Sequence, residues 1–242
     1  MTGFKYAQET QHSFKLVHAK GYSQDQALLA KAVSSGEVAE VQMLLQKGAW
    51  PNQKDKFGIP LLVVAGRRGK FEIVRALIAH GADVFAEGQG GGDALWIASA
   101  EGHDQVVEHL IEKGKDNPKF VASLRTAFGA AVMAGHAKVI RHLIGGGADV
   151  DANTPLGQTP LMLASMRGQE FIWEARMKQP FPVRDGQRKT GWKEVVMILL
   201  EAGAQIPFPT KDGPIDVKTL SAHQRDKLAD ALLEAGAKIK LH

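Results

Sequence analysis

Apolar residues in this 242-residue chain come in short bursts separated by glycine. In the stretch "GIPLLVVAGRRGKFEIVRALIAHGADVFA", Leu61, Leu62, Val64 and Ala65 form a first apolar run. Gly69 interrupts it, and Ile73, Val74, Leu77 and Ile78 then recur at helical spacing. Gly81 stands where a helix would end on a residue in the left-handed region. The pattern predicts two short helices joined by a turn. The bursts also keep a beat. Gly36, Gly69, Gly102, Gly135 and Gly168 are 33 residues apart, and Gly48, Gly81, Gly114 and Gly147 repeat at the same interval. The second series breaks once: Gly203 arrives 23 residues late, and Gly236 follows 33 residues after it. A fixed period of this size marks a repeat architecture. Two short helices cannot bury their own apolar faces, so neighbouring units must stack to make a core. The 23 extra residues, 169–191, fall in the turn between the two helices of one unit.

The segments "GHDQVVEHLIEKG", "GKFEIVRALIAHGADVFA", "GHAKVIRHLIGGGADVDA" and "GQTPLMLASMRG" resemble ankyrin repeats, and the resemblance runs from about residue 22 to 239. It implies an all-α ankyrin-repeat solenoid of about six helix-turn-helix units with short hairpin loops. The units fall near 22–54, 55–87, 88–120, 121–153, 154–209 with the 169–191 insertion, and 210–239 as a C-terminal cap. Residues 1–21 are read as an N-terminal extension or cap and 240–242 as a tail. The last unit has Gln224 in place of its turn glycine, and charged outer residues that suit a cap. Other departures matter for packing. The family's Thr-Pro-Leu-His box survives only as Thr159-Pro160-Leu161, and its histidine is replaced by Val63, Trp96, Gly129 or Met162 in successive units. The hydrogen bonds linking neighbouring hairpins are therefore expected to be weakened. "GKDNPKF" ends the third unit, where Pro118 lacks an amide donor, and predicts an irregular hairpin.

Composition narrows the chemistry. There is no cysteine, which excludes disulfides, thiolate metal sites and a cysteine nucleophile. No apolar run approaches the roughly 20 residues of a membrane span, and the first 20 residues show no apolar signal core. A cytoplasmic protein with no membrane partner is expected. Net charge is +4, with 30 basic and 26 acidic residues, mildly basic. Nucleic acid is not the expected partner at that charge. "GQGGGD" at 88–93 could cradle an anion before a helix, but no P-loop lysine follows, and a hairpin tip using glycine for positive φ explains it. His103 and His136 are 33 apart, as are His109 and His142. Helices in neighbouring repeats lie roughly 8–10 Å apart, and no third ligand shares the spacing, so these histidines read as structural. No G-x-S-x-G nucleophile motif occurs. No catalytic residue, metal or cofactor is expected, and the chain reads as a non-enzyme.

Ankyrin-like stacks bind proteins on a concave face made by hairpin tips and first helices. Carried over by position, the resemblance implies a partner-binding set of Lys56, Phe57, Ile59, Arg67, Arg68, Gln89, Ala100, Glu101, Ser123, Arg125, Met133, Leu156, Gln158, Met166 and Arg167. In the second unit, Lys54, Lys56, Arg67, Arg68 and Lys70 accompany Phe57. That is either a basic patch for an acidic or phosphorylated segment or a solvated face with one stray aromatic. Ala100, Ala130 and Met133 make the middle of the face small and apolar, for a docked segment or for packing within the stack. The insertion is expected to extend the preceding helix until Pro180 and Pro182, and to return through "RDG" to a helix capped by Thr190. Its Phe171, Trp173, Arg176 and Phe181, with Trp192 at its border, form either a second contact point or a self-packing cluster. The expected function is a scaffold or adaptor for a protein partner. Alternatives are a small-ligand or enzymatic pocket between insertion and concave face, and nucleic-acid binding through the basic second unit.

Overall fold

The computed structural model describes residues 22–88, 91–153, 157–167, 191–206 and 215–235. The expected termini at 1–21 and 240–242, and the insertion up to Thr190, lie outside them. The chain forms two compact units, Met1–Ala94 and Leu95–His242. Regular structure among the described residues is helical, apart from one isolated bridge between Lys54 and Pro60. This is the all-α class expected from the sequence.

The first unit contains α1 (Tyr22–Ser35), α2 (Val38–Gln46), α3 (Leu61–Arg67) and α4 (Phe71–Ala79). Helices α1 and α3 pack side by side, as do α2 and α4. Leu61, Leu62, Ala65, Ile73, Val74 and Leu77 are buried, and Val64 and Ile78 are half-buried. The apolar period therefore marks the packed faces. The second unit holds α5 (Ala94–Glu101), α6 (Asp104–Gly114), α7 (Phe120–Ala134), α8 (Ala137–Gly145), the helix α9 at residues 160–167, α10 (Gly191–Glu201) and α11 (Ala222–Ala235). There α8 packs on α6, α7 and α10, and α11 closes over α10.

Both glycine series do one job. At the first turns, the amides of Glu37, Lys70, His103 and His136 donate to the carbonyls of Ala32, Ala65, Ala98 and Ala131, at 2.9–3.2 Å. Each bond closes a helix around a glycine with φ between +63° and +86°. At the second helix ends, the amides of Ala49, Ala82, Ala148 and Ala204 donate to Leu44, Leu77, Leu143 and Leu199, at 2.9–3.0 Å. These are Schellman endings, which require a left-handed residue after the helix. The acceptor alanines are buried because the closed turn brings the chain back against them.

Each turn is also covered by the next repeat. A Cβ on Gly36 would lie 2.8 Å from Lys70 Cε, one on Gly102 would lie 2.6 Å from His136 Nδ1, and one on Gly135 would lie 3.1 Å from Trp192 Cζ2. Lys70, His136 and Trp192 all follow the turn position of their own repeat. Trp192 reaches this place even though the 23-residue insertion precedes it. It packs over Gly135.

Three elements depart from the expected repeat. Gly114 is the last residue of α6 and is buried, with no Schellman ending. The next amide, Lys115, donates instead to Ile111, and Asn117 Oδ1 accepts from the Lys119 amide at 2.9 Å. The expected hairpin is thus replaced by a tight turn and a longer helix: α7 has 15 residues, against 7 in α3 and 8 in α5. Hairpin linkage is also not lost with the histidine box. Asn52 Nδ2 donates to the Gly81 carbonyl at 2.9 Å, and its Oδ1 accepts from the Asp83 amide at 2.6 Å. Asp151 Oδ1 accepts from the Gln205 amide at 2.8 Å, at the corresponding repeat positions. Phe85 stands where these links have Asn or Asp, and it is buried. In the last unit the first helix shrinks to a 3-10 turn, Val217–Thr219. Gln224 is no turn residue. Its Oε1 accepts from the Ser221 amide at 2.8 Å while Ser221 Oγ accepts from the Gln224 amide at 3.3 Å. That reciprocal pair is a capping box that starts α11 early.

Candidate functional site

The hairpin tip at residues 55–59 is built by its own backbone. The Asp55 amide donates to the Ile59 carbonyl at 2.8 Å, and the Gly58 amide donates to the Asp55 carbonyl at 3.0 Å. Asp55 Oδ1 accepts from the amides of Phe57 and Ile59, each at 2.9 Å. Gly58 takes φ +75°, which a side chain would resist. The next tip repeats the design, with the Gly88 amide donating to Gly92 at 2.9 Å and Gly91 at φ +79°. Gly157, at φ +74°, occupies the same place in the fifth repeat. Within "GQGGGD", the described Gly88, Gly91 and Gly92 thus close a turn like that of the first tip.

On the first tip Phe57 stands 62% exposed, with Lys56 Nζ 4.9 Å from its ring centre. Ile59 is half-buried, and Gly88 of the following tip packs against it. Lys54 and Lys56 flank the aromatic, both exposed. Arg67, Arg68 and Lys70 are exposed at the other end of α3. Seven helical residues separate the groups by about 10 Å along the axis. The basic residues therefore form two groups at opposite ends of α3 instead of one compact patch. The neighbouring acids are engaged: Asp55 by backbone amides, and Glu72 by Arg75 at 2.9 Å.

In the second unit the predicted set divides. Glu101, Arg125, Met133 and Arg167 are exposed, and Ala100 and Met166 are half-buried. Ser123 and Gln158 are buried, at 7% and 8% exposure, so their side chains face the interior and leave the surface set. Gln158 Nε2 points at Met166 Sδ, 3.9 Å away. Arg125 Nη2 donates to the Asn153 carbonyl at 3.1 Å. His136 Nε2 lies 3.0 Å from the Ala100 carbonyl, so this nitrogen carries the ring proton and the histidine ties two repeats. Burial holds its pKa below the ordinary 6.5, against the raising influence of that carbonyl and of Glu101. Gln89, Leu156, Phe171, Trp173, Arg176 and Phe181 lie outside the described residues. Sequence reading passed over Trp50, Trp96 and Val121 as surface residues, yet they are 48%, 38% and 74% exposed. Val121 lies in the first turn of α7, which starts early.

Comparison with known proteins agrees with this geometry. Residues 29–121 and 95–175 match the family model for ankyrin repeats in three copies. The chain belongs to the ankyrin-repeat family. A 61-residue stretch is 44% identical to the 2-5A-dependent ribonuclease of Mus musculus, covering 25% of this chain and 8% of that protein. A 53-residue stretch is 43% identical to dynein axonemal heavy chain 12 of Bos taurus, covering 22% of this chain and 14% of that one. The chain thus spans only a small part of the length of these relatives.

Proposed function

We propose that this chain is a non-enzymatic scaffold that recognises an acidic segment of a protein partner through the tip at residues 55–59 and the basic residues Arg67 and Arg68 at the far end of α3. Ankyrin repeats are generally protein–protein interaction modules. The observation that carries the finer reading is Phe57, largely exposed on a tip whose shape Asp55 fixes beforehand. A preset aromatic loses little freedom on binding, and aromatics anchor interface hot spots. Lys54 and Lys56 beside it, and Arg67 and Arg68 further along, supply charge complementary to carboxylates or phosphates. The exposed members of the second unit, Glu101, Arg125, Met133 and Arg167, are proposed as contact positions of that unit by itself. A cytoplasmic setting belongs to the same proposal, since ankyrin-repeat proteins are often intracellular.

Site-specific photocrosslinking tests it. A photoreactive phenylalanine at position 57 should give a discrete adduct with an acid-rich segment, and one at Met43, exposed on α2, should not. Adducts from position 43 alone would place recognition away from the tip.

A further inference from the structure

Gly129 sits in the middle of the 15-residue helix α7, where glycine is among the least favoured residues. The left-handed region does not explain it, because Gly129 is not among the positive-φ glycines. Crowding does not explain it either. A Cβ there would meet no atom within 4 Å among the described residues, its own helix backbone aside. The position is half-buried, and no described atom stands over it, so the missing side chain leaves a recess in this face of the helix among the described residues. Large apolar side chains mark its surroundings in the repeat register. Met133, one turn further along α7, is 41% exposed. Trp96 holds the equivalent place one period earlier and is 38% exposed. Met162 holds it one period later and is half-buried. The only charged residue of α7 is Arg125, one turn before Gly129 on the same face. One of its donors engages the Asn153 carbonyl, and a guanidinium has others to offer.

The geometry points to a specificity recess on α7, which takes a bulky apolar side chain of a partner segment at Gly129 while a carboxylate of that segment meets Arg125. This rests on the reading of the chain as a protein-binding scaffold and assigns it a second subsite. A floor without a side chain, beside Met133, accommodates a Leu, Met or Phe. The single positive charge on the helix selects an acidic companion. Four helical residues rise about 6 Å, close to the about 6.6 Å between alternate side chains of an extended peptide. An extended segment can therefore present both groups.

A displayed library of random 15-residue peptides, panned on the full chain, supplies the probe. Enriched peptides are made synthetically, and their binding is measured by fluorescence anisotropy to wild type, Gly129→Ala, Gly129→Leu, Arg125→Glu and Phe57→Ala. Gly129→Ala should melt above wild type, because nothing among the described residues opposes the added methyl. Gly129→Leu should retain a cooperative melt and weaken binding by about tenfold or more. Arg125→Glu should weaken the peptides that carry an acid near their apolar residue. Equal affinity for wild type and Gly129→Leu overturns the recess while leaving a scaffold that binds through Phe57. A library that yields no binder overturns the recess and the scaffold reading together. Two results assign another occupant and also overturn the recess: concentration-dependent dimers abolished by Gly129→Leu, or binding that appears only once residues 169–190 are deleted.

Discussion

Asp55 shapes the proposed contact by accepting from two amides of the tip that carries Phe57. Asp55→Ala should cost about 1 kcal/mol of stability, on the scale of lost capping bonds, and should weaken partner binding beyond that loss by releasing Phe57. Chemical denaturation and a binding titration on the same variant separate the two. Gly102 is constrained twice, by φ +82° and by the His136 ring against it. Gly102→Ala should therefore destabilise by about 1–3 kcal/mol, the range for a non-glycine residue forced into a sparse conformation. A melt for Gly102→Ala indistinguishable from wild type would mean the ring moves aside freely and the backbone is not strained. His136 itself links stability to pH. Its pKa is depressed in the fold by burial, so the neutral ring is the one the fold favours. The contribution is complete above the unfolded value near 6.5 and is lost as pH falls through it and through the lower folded value. Thermal melts from pH 8 to pH 5 should decline less steeply for His136→Gln than for wild type.

Between neighbouring elements, the ties are short polar links at repeat spacing. Asn52 and Asp151 each reach the backbone of the following repeat. Either alanine substitution should cost about 0.5–1.5 kcal/mol, the net range of an ordinary hydrogen bond, and should broaden the unfolding transition by loosening neighbour coupling. The C-terminal helix is held differently. Lys193 Nζ bridges Asp226 and Asp230 at 2.8–2.9 Å, and the hydrogen bonds to Asp230 and Asp226 raise its pKa. Lys193→Ala should speed amide exchange in 222–235 while leaving α1 to α4 unchanged. Much of this level was legible in the chain. The two glycine series fixed both turn types, because a Schellman ending needs a left-handed residue at a set distance from the helix. The elongated α7 also left a signal, though a quieter one. Tip glycines Gly58, Gly91 and Gly157 follow the same period, and the missing member is Leu124, buried in α7. What the pattern could not reveal was side-chain reach: Trp192 folding over Gly135, or Asn52 bonding to the backbone of the next hairpin. Exposure was hardest to read. Ser123 and Gln158 have surface chemistry, but α7 and the Met166 contact enclose them.

For the molecule as a whole, charge and surface act together. The chain carries net +4, and the first unit exposes Lys54 and Lys56 beside Phe57, with Arg67, Arg68 and Lys70 at the far end of α3. Affinity for an acidic partner should fall with added salt, because rim charges are screened over about 8 Å at physiological ionic strength. The most direct measurement is affinity capture from the source lysate on four baits with intact melts: wild type, Lys56→Glu with Phe57→Ala, Arg67→Glu with Arg68→Glu, and Arg75→Glu. The account predicts one partner held by wild type and Arg75→Glu, lost with the tip variant, and weakened with the Arg67 and Arg68 pair. A partner kept in full by the tip variant would contradict it.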